Sequence, residues 1–187
     1  METILSLCIG IGLSTACGFR VFVPLLVMSV ASLAGWFEPM QGFEWVAMPA
    51  VCFGLAVATL CEIAAYYIPW VDNILDTVST PAAMVAGTLA TMAVSSGEMS
   101  QFASWAAAII VGGGTAGTVQ MGTVALRALS TATTGGIGNP VVSTGEWMGA
   151  LLLSVLALIV PVLVVIVVVL MALLALRWFK RRKNLKA

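Results

Sequence analysis

Residues 12–24 read Gly12-Leu13-Ser14-Thr15-Ala16-Cys17-Gly18-Phe19-Arg20-Val21-Phe22-Val23-Pro24. The stretch is apolar enough for a membrane helix, yet it carries glycines, hydroxyls, an arginine and a proline. It lies inside an apolar segment, 3–34, that is long for one upright crossing of about 20 residues and short for two. The segment therefore predicts one long tilted helix or two half-helices meeting near Gly18.

Composition extends that reading to the whole chain. Of 187 residues, 61% are hydrophobic and 9% charged, with a mean hydropathy of +1.10, where soluble domains carry roughly 25% charged residues. The expected fold is an all-α polytopic membrane helix bundle. It has about 4–6 spanning segments at the usual span length, and one or two of its Gly-rich segments are broken or re-entrant. Residues 1–187 form a single integral membrane domain. Met1-Glu2-Thr3 lacks the basic flank of a signal peptide.

Further along, Trp36, Phe37, Phe43 and Trp45 mark an interfacial segment over 35–49, because amphipathic rings prefer headgroup depth. Residues 50–68 form a clean span, 71–77 a polar turn, 81–95 a short span and 101–119 another. Gly113 and Gly117 make a G-x-x-x-G helix-packing pair. The Gly/Thr/Asn/Pro-rich stretch over 120–146 predicts a re-entrant or an extramembrane loop. Residues 148–178 form the longest apolar run, with Pro161 inside it.

Leu-Ser-Thr-Ala occurs at both 13–16 and 129–132, a weak internal echo. If both surrounding segments are re-entrant hairpins, three spans separate them and a fourth follows. In the competing arrangement, 3–34 crosses once and 120–146 is an external loop, giving five spans with the N-terminus outside.

Charge is distributed unevenly. Six of the eight basic residues, Arg177, Lys180, Arg181, Arg182, Lys183 and Lys186, fall at the C-terminal end. The tail 179–187 is therefore expected on the cytoplasmic side of the membrane. Arg20 and Arg127 stand alone in apolar surroundings, where a charge needs a partner or a purpose. With Glu62, Asp72, Asn73, Asp76, Thr134 and Asn139 they make up the candidate substrate or ion path. Glu2, Glu38, Glu44, Glu98 and Glu146 flank spans and are expected to face water.

The chain has no histidine and its four cysteines form no C-x-x-C pair. No metal site, cofactor, nucleic-acid partner or catalytic residue is expected.

Three stretches, Gly12 to Pro24, Ile68-Pro69-Trp70-Val71-Asp72-Asn73-Ile74-Leu75-Asp76-Thr77 and Ala125 to Ser143, resemble the signatures of the bacterial integral membrane proteins called domain of unknown function 4126. The likeness covers nearly the whole chain. It implies a small multi-pass bacterial membrane protein and no assigned activity. The chain departs from that pattern at Ala65-Tyr66-Tyr67, where a charged residue is expected before the Pro-Trp turn.

The leading functional expectation is a transporter or channel-like permease for an unknown small or ionic solute, embedded in the lipid bilayer and working as a homodimer. The alternative is a non-transporting membrane scaffold or assembly factor.

Overall fold

The computed structural model describes residues 2–68 and 71–184, with the side chains of 73, 171–172, 174–176 and 178–184 outside the described part. Helix α1 spans Glu2–Phe19 and α2 spans Phe22–Leu33; a short 3-10 turn covers Glu44–Ala47. Then come α3 (Pro49–Ala65), α4 (Val71–Ala93) and α5 (Gln101–Ala107). A π-helical turn, Ala108–Gly113, leads into α6 (Gly114–Thr134), followed by α7 (Asn139–Ile159) and α8 (Pro161–Asn184). Among the described residues, Glu2–Phe19, Gln101–Thr134 and Asn139–Ile159 are long and apolar enough to cross a membrane, and Phe22–Leu33, Pro49–Ala65 and Pro161–Leu170 are shorter apolar helices.

Helix α1 is the axis of the bundle. Gly12 through Gly18 are all buried, and the helix packs against α4, α6, α7 and α8. Small residues make that crowding possible. A Cβ on Gly18 would stand 2.5 Å from the Val119 Cβ and 2.6 Å from the Ala116 carbonyl oxygen. Across the bundle, Gly87 of α4 and Gly112 of the π turn bring their backbones together, because a Cβ on Gly87 would lie 2.8 Å from the Gly112 oxygen. Gly113 and Gly117 also face α4, against Thr88 and Met84. Hydroxyls on α1 and α4 use the same closeness: Ser14 Oγ donates to the Gly87 carbonyl at 2.9 Å and lies 2.7 Å from Thr91 Oγ1. Backbones this close gain dispersion contacts that bulkier side chains would prevent.

The segment 3–34 is two helices rather than one. The chain breaks at Arg20-Val21, two residues past Gly18, and α2 turns back. Residues 36–41 line a cavity together with Glu2 and Ile9, and the Met40 N–H donates to the Ala93 carbonyl at 2.8 Å. The Thr3 hydroxyl reaches Glu98 at the same end of the bundle. On the interfacial loop, Glu44 accepts the Gly42 N–H at 2.9 Å. That hydrogen bond holds its carboxyl below the usual carboxylate range.

Three expectations are corrected. Residues 71–77 are no separate turn; they are the first two turns of α4, which runs through Pro81 to Ala93. The polar residues there read as a loop, but they lie where helix N-terminal N–H groups need acceptors. Residues 120–146 are neither a re-entrant nor an external loop: α6 continues to Thr134 and α7 starts at Asn139. The turn between them needs only Gly135 and Gly136, at φ 64° and 91°, a left-handed conformation suited to glycine. The run 148–178 is also not one helix, because it divides at Val160, whose φ of −137° interrupts the α conformation ahead of Pro161.

Gly18→Ala should cost about 1–3 kcal/mol from overpacking against α6, seen as a lower melting temperature in detergent. Gly54→Ala on α3, where nothing lies within 4 Å of the added Cβ, should leave the melt unchanged.

Candidate functional site

At the end of the bundle opposite the Glu2 cavity, the α1–α2 break meets the last turns of α3 and α6 and the first turns of α4 and α7. The sequence places its isolated charges there. Arg20 occupies the break itself and is 1% exposed, Arg127 is 2% exposed and Glu146 4%.

The side chains form an alternating chain of charge. Arg20 Nη2 donates to Glu146 Oε2 at 3.0 Å and to the Ser143 hydroxyl at 2.5 Å. The second oxygen of Glu146 stands 3.2 Å from Arg127 Nε, and Arg127 Nη1 is 2.6 Å from Asp76 Oδ1. The Arg127 contacts are close charge contacts rather than aligned hydrogen bonds. Glu146 thus answers both arginines. Opposite charges must alternate in this way where water is excluded, because an unpaired buried ion costs several kcal/mol.

Tyr66 fills the space beneath the two cations. The guanidinium carbons of Arg20 and Arg127 lie 3.7 Å and 4.3 Å from the centre of its ring. The Nε and Nη1 of Arg20 and Nη2 of Arg127 have no hydrogen-bond partner among the described residues. An electron-rich ring face compensates part of that loss. Where the family resemblance leads one to expect a charged residue before the Pro-Trp turn, this chain supplies an aromatic ring that holds two charges.

The remaining acids have separate duties. Glu62, half-buried on α3, accepts the Val21 N–H at 2.8 Å and the Phe22 N–H at 3.0 Å. It caps the N-terminus of α2, which has no side-chain cap of its own, and its negative charge suits that helix end. Asp72, at the start of α4, accepts the Asn139 side-chain amide at 2.8 Å, and the same amide reaches Thr131 Oγ1 at 2.9 Å. These bonds clasp the first turn of α7 to α4 and α6.

Of the candidates from sequence, Arg20, Glu62, Asp72, Asp76, Arg127 and Asn139 converge here. Thr134 does not: it is exposed, donates to the Ser130 carbonyl and accepts the Gly138 N–H, so it closes the α6–α7 turn. The side chains of Asn73 and of the tail residues 179–184, and all of 185–187, lie outside the described part.

Glu146 is a correction of the opposite kind, expected in water and found at the centre. The signal was present in the spacing. Asn139, Ser143, Glu146, Ala150, Ser154 and Ala157 are all buried and recur every three or four residues, one stripe down a helix face. A carboxylate within such a stripe points inward. Ser143 lies in the same stripe, whereas Tyr66 carried no comparable signal.

Fold and site together define an apolar helical bundle of membrane-protein type with a buried chain of ion pairs at one end. The chain belongs to the family described as domain of unknown function (DUF4126), whose model matches residues 7–181 and so takes in every residue of the site. No curated protein and no solved structure matches it.

Glu146→Gln keeps the shape but leaves two buried guanidiniums sharing one fewer charge, and should destabilise the bundle by about 3 kcal/mol. Tyr66→Phe should melt as the parent does, whereas Tyr66→Leu should lose about 1–2 kcal/mol with the ring face. Detergent-solubilised thermal unfolding reads both.

Proposed function

We propose that the protein is a multi-pass permease of the bacterial inner membrane, with its basic tail in the cytoplasm, and that it moves a small or ionic solute by a cation-coupled step. The observation that carries this reading is the buried charge chain Arg20–Glu146–Arg127–Asp76. In a bilayer, ionisable groups are costly, and stability alone does not account for them, since apolar packing of similar volume does as well or better.

The network has a further property that suits transport. With Glu62 it counts three carboxylates against two guanidiniums, a formal excess of 3 − 2 = 1 negative charge. Low dielectric favours neutrality, so a proton or another monovalent cation is the species such a cluster recruits. Because Glu146 is shared, neutralising it loosens both arginines at once, and with them the junction of α1, α6 and α7. The α1–α2 hairpin is the element placed to move, because its tip is held to the bundle by the shared Glu146 and by Glu62. Catalysis has no part in this reading, and a homodimer would give such a small bundle a second wall for its path.

The scaffold reading is favoured by one fact, that both arginines already have carboxylate partners. Flux separates the two. In proteoliposomes carrying an imposed proton or sodium gradient, the parent protein should move the cation. Arg127→Lys, which keeps the charge but loses the fork that spans Asp76 and Glu146, should assemble normally and lower the flux at least about tenfold, roughly 1.4 kcal/mol. Removing residues 179–187 should leave the flux of correctly inserted protein intact. A parent protein that moves no cation under either gradient would sink the permease reading.

A further inference from the structure

A cavity lies at the other end of the bundle, where α1 begins, and includes none of the residues of the charge chain. It measures about 900 Å³, within the size of small-molecule sites. Its lining is asymmetric. Glu2 and Glu38 contribute carboxylates, Trp36 and Phe37 contribute rings, and among the described residues no lysine or arginine lines it. The floor, from α1 and α7, carries Leu5, Ile9 and Leu158. Ser95 and Ser96 of the 94–97 turn also line the cavity, and their buried hydroxyl oxygens have no hydrogen-bond partner among the described residues.

We propose that this cavity binds an organic cation with an apolar body. Each part of the lining meets one part of such a ligand. The two carboxylates supply attraction, and no lysine or arginine among the described lining residues cancels it. Trp36 is 65% exposed, so its ring face is available to a cationic head, and the apolar floor accepts the body. Ser95 and Ser96 add polar lining at the rim of the site. Anions are opposed by the same field, since Glu98, held by Thr3, adds a third acid close by. Large apolar surface next to one sign of charge, with low-dielectric walls, concentrates ions of the opposite sign. The site does not depend on the permease reading: binding is measured in detergent without any gradient, so either conclusion can fail alone.

The probe is tetraphenylphosphonium, with tetraphenylborate as an anion of the same shape, titrated by equilibrium dialysis against the full chain in an uncharged detergent. Saturable binding of the phosphonium and none of the borate is expected. The double variant Glu2→Gln/Glu38→Gln should weaken it at least about tenfold, a change of roughly 1.4 kcal/mol. Trp36→Leu should weaken it about threefold. Both carboxylates are exposed in the free protein, so folding is expected to survive. Should the double variant not assemble, Glu38→Gln alone, on a surface loop, must still weaken binding about threefold. Equal uptake of the two ions, no saturation, or unchanged affinity in the glutamine variants would overturn the site.

Discussion

Glu146 carries the arrangement on which the rest of the structure depends. One buried carboxylate binds Arg20 at the α1–α2 break and Arg127 on α6, and it rides on α7. Arg127 passes the connection to α4 through Asp76, and Tyr66 brings in the end of α3 beneath both cations. Six helices are thereby tied at one end by groups that cannot be separated without exposing a charge to a medium that does not solvate it. Apolar contacts within a bilayer discriminate poorly between helix registers, because lipid is as apolar as the helices themselves. Ion pairs of fixed length do discriminate, and they set the register here.

The break at Arg20 lies at that tie. A continuous helix through residues 3–34 would carry α2 away from α3 and α7, against which it packs. Interrupting it leaves two backbone N–H groups at the head of α2, and Glu62 accepts both. The cost of the break is met by one carboxylate from a neighbouring helix. Away from the charges, close approach is the rule. Gly18 meets α6, Gly87 meets Gly112, and the hydroxyls of Ser14 and Thr91 bridge the gap between α1 and α4. The π turn at Ala108–Gly113 lies where α4 comes closest, a local widening that lets one long helix bend past glycine contacts.

The two ends of the bundle are chemically different. One is charged of both signs, internally partnered and buried. The other is acidic, ringed by aromatics and open into a cavity. A solute path would need both, a place of entry with its own selectivity and a coupling element farther in. Helix α1 runs between them with its polar and small residues buried, and so connects the two regions physically.

Much of the fold was legible in the sequence. Apolar composition and span lengths announced a helical membrane bundle, while the residues around Gly18 left open whether the first segment is one tilted helix or two. The isolation of Arg20 and Arg127 marked one end of the bundle as special. Helix boundaries were less legible at polar positions. Asp72 and Asp76 read as a turn because polar residues interrupt an apolar pattern in the same way whether they leave the helix or begin it. The glycines before Asn139 suggested a long loop, yet two left-handed residues sufficed. What the tertiary structure alone decided was pairing. Sequence determines that a charge in an apolar chain must be neutralised, since that follows from its solvation energy. Which carboxylate does so depends on which helix faces meet, and Glu146, 126 positions after Arg20, meets it only once α7 has packed against α1.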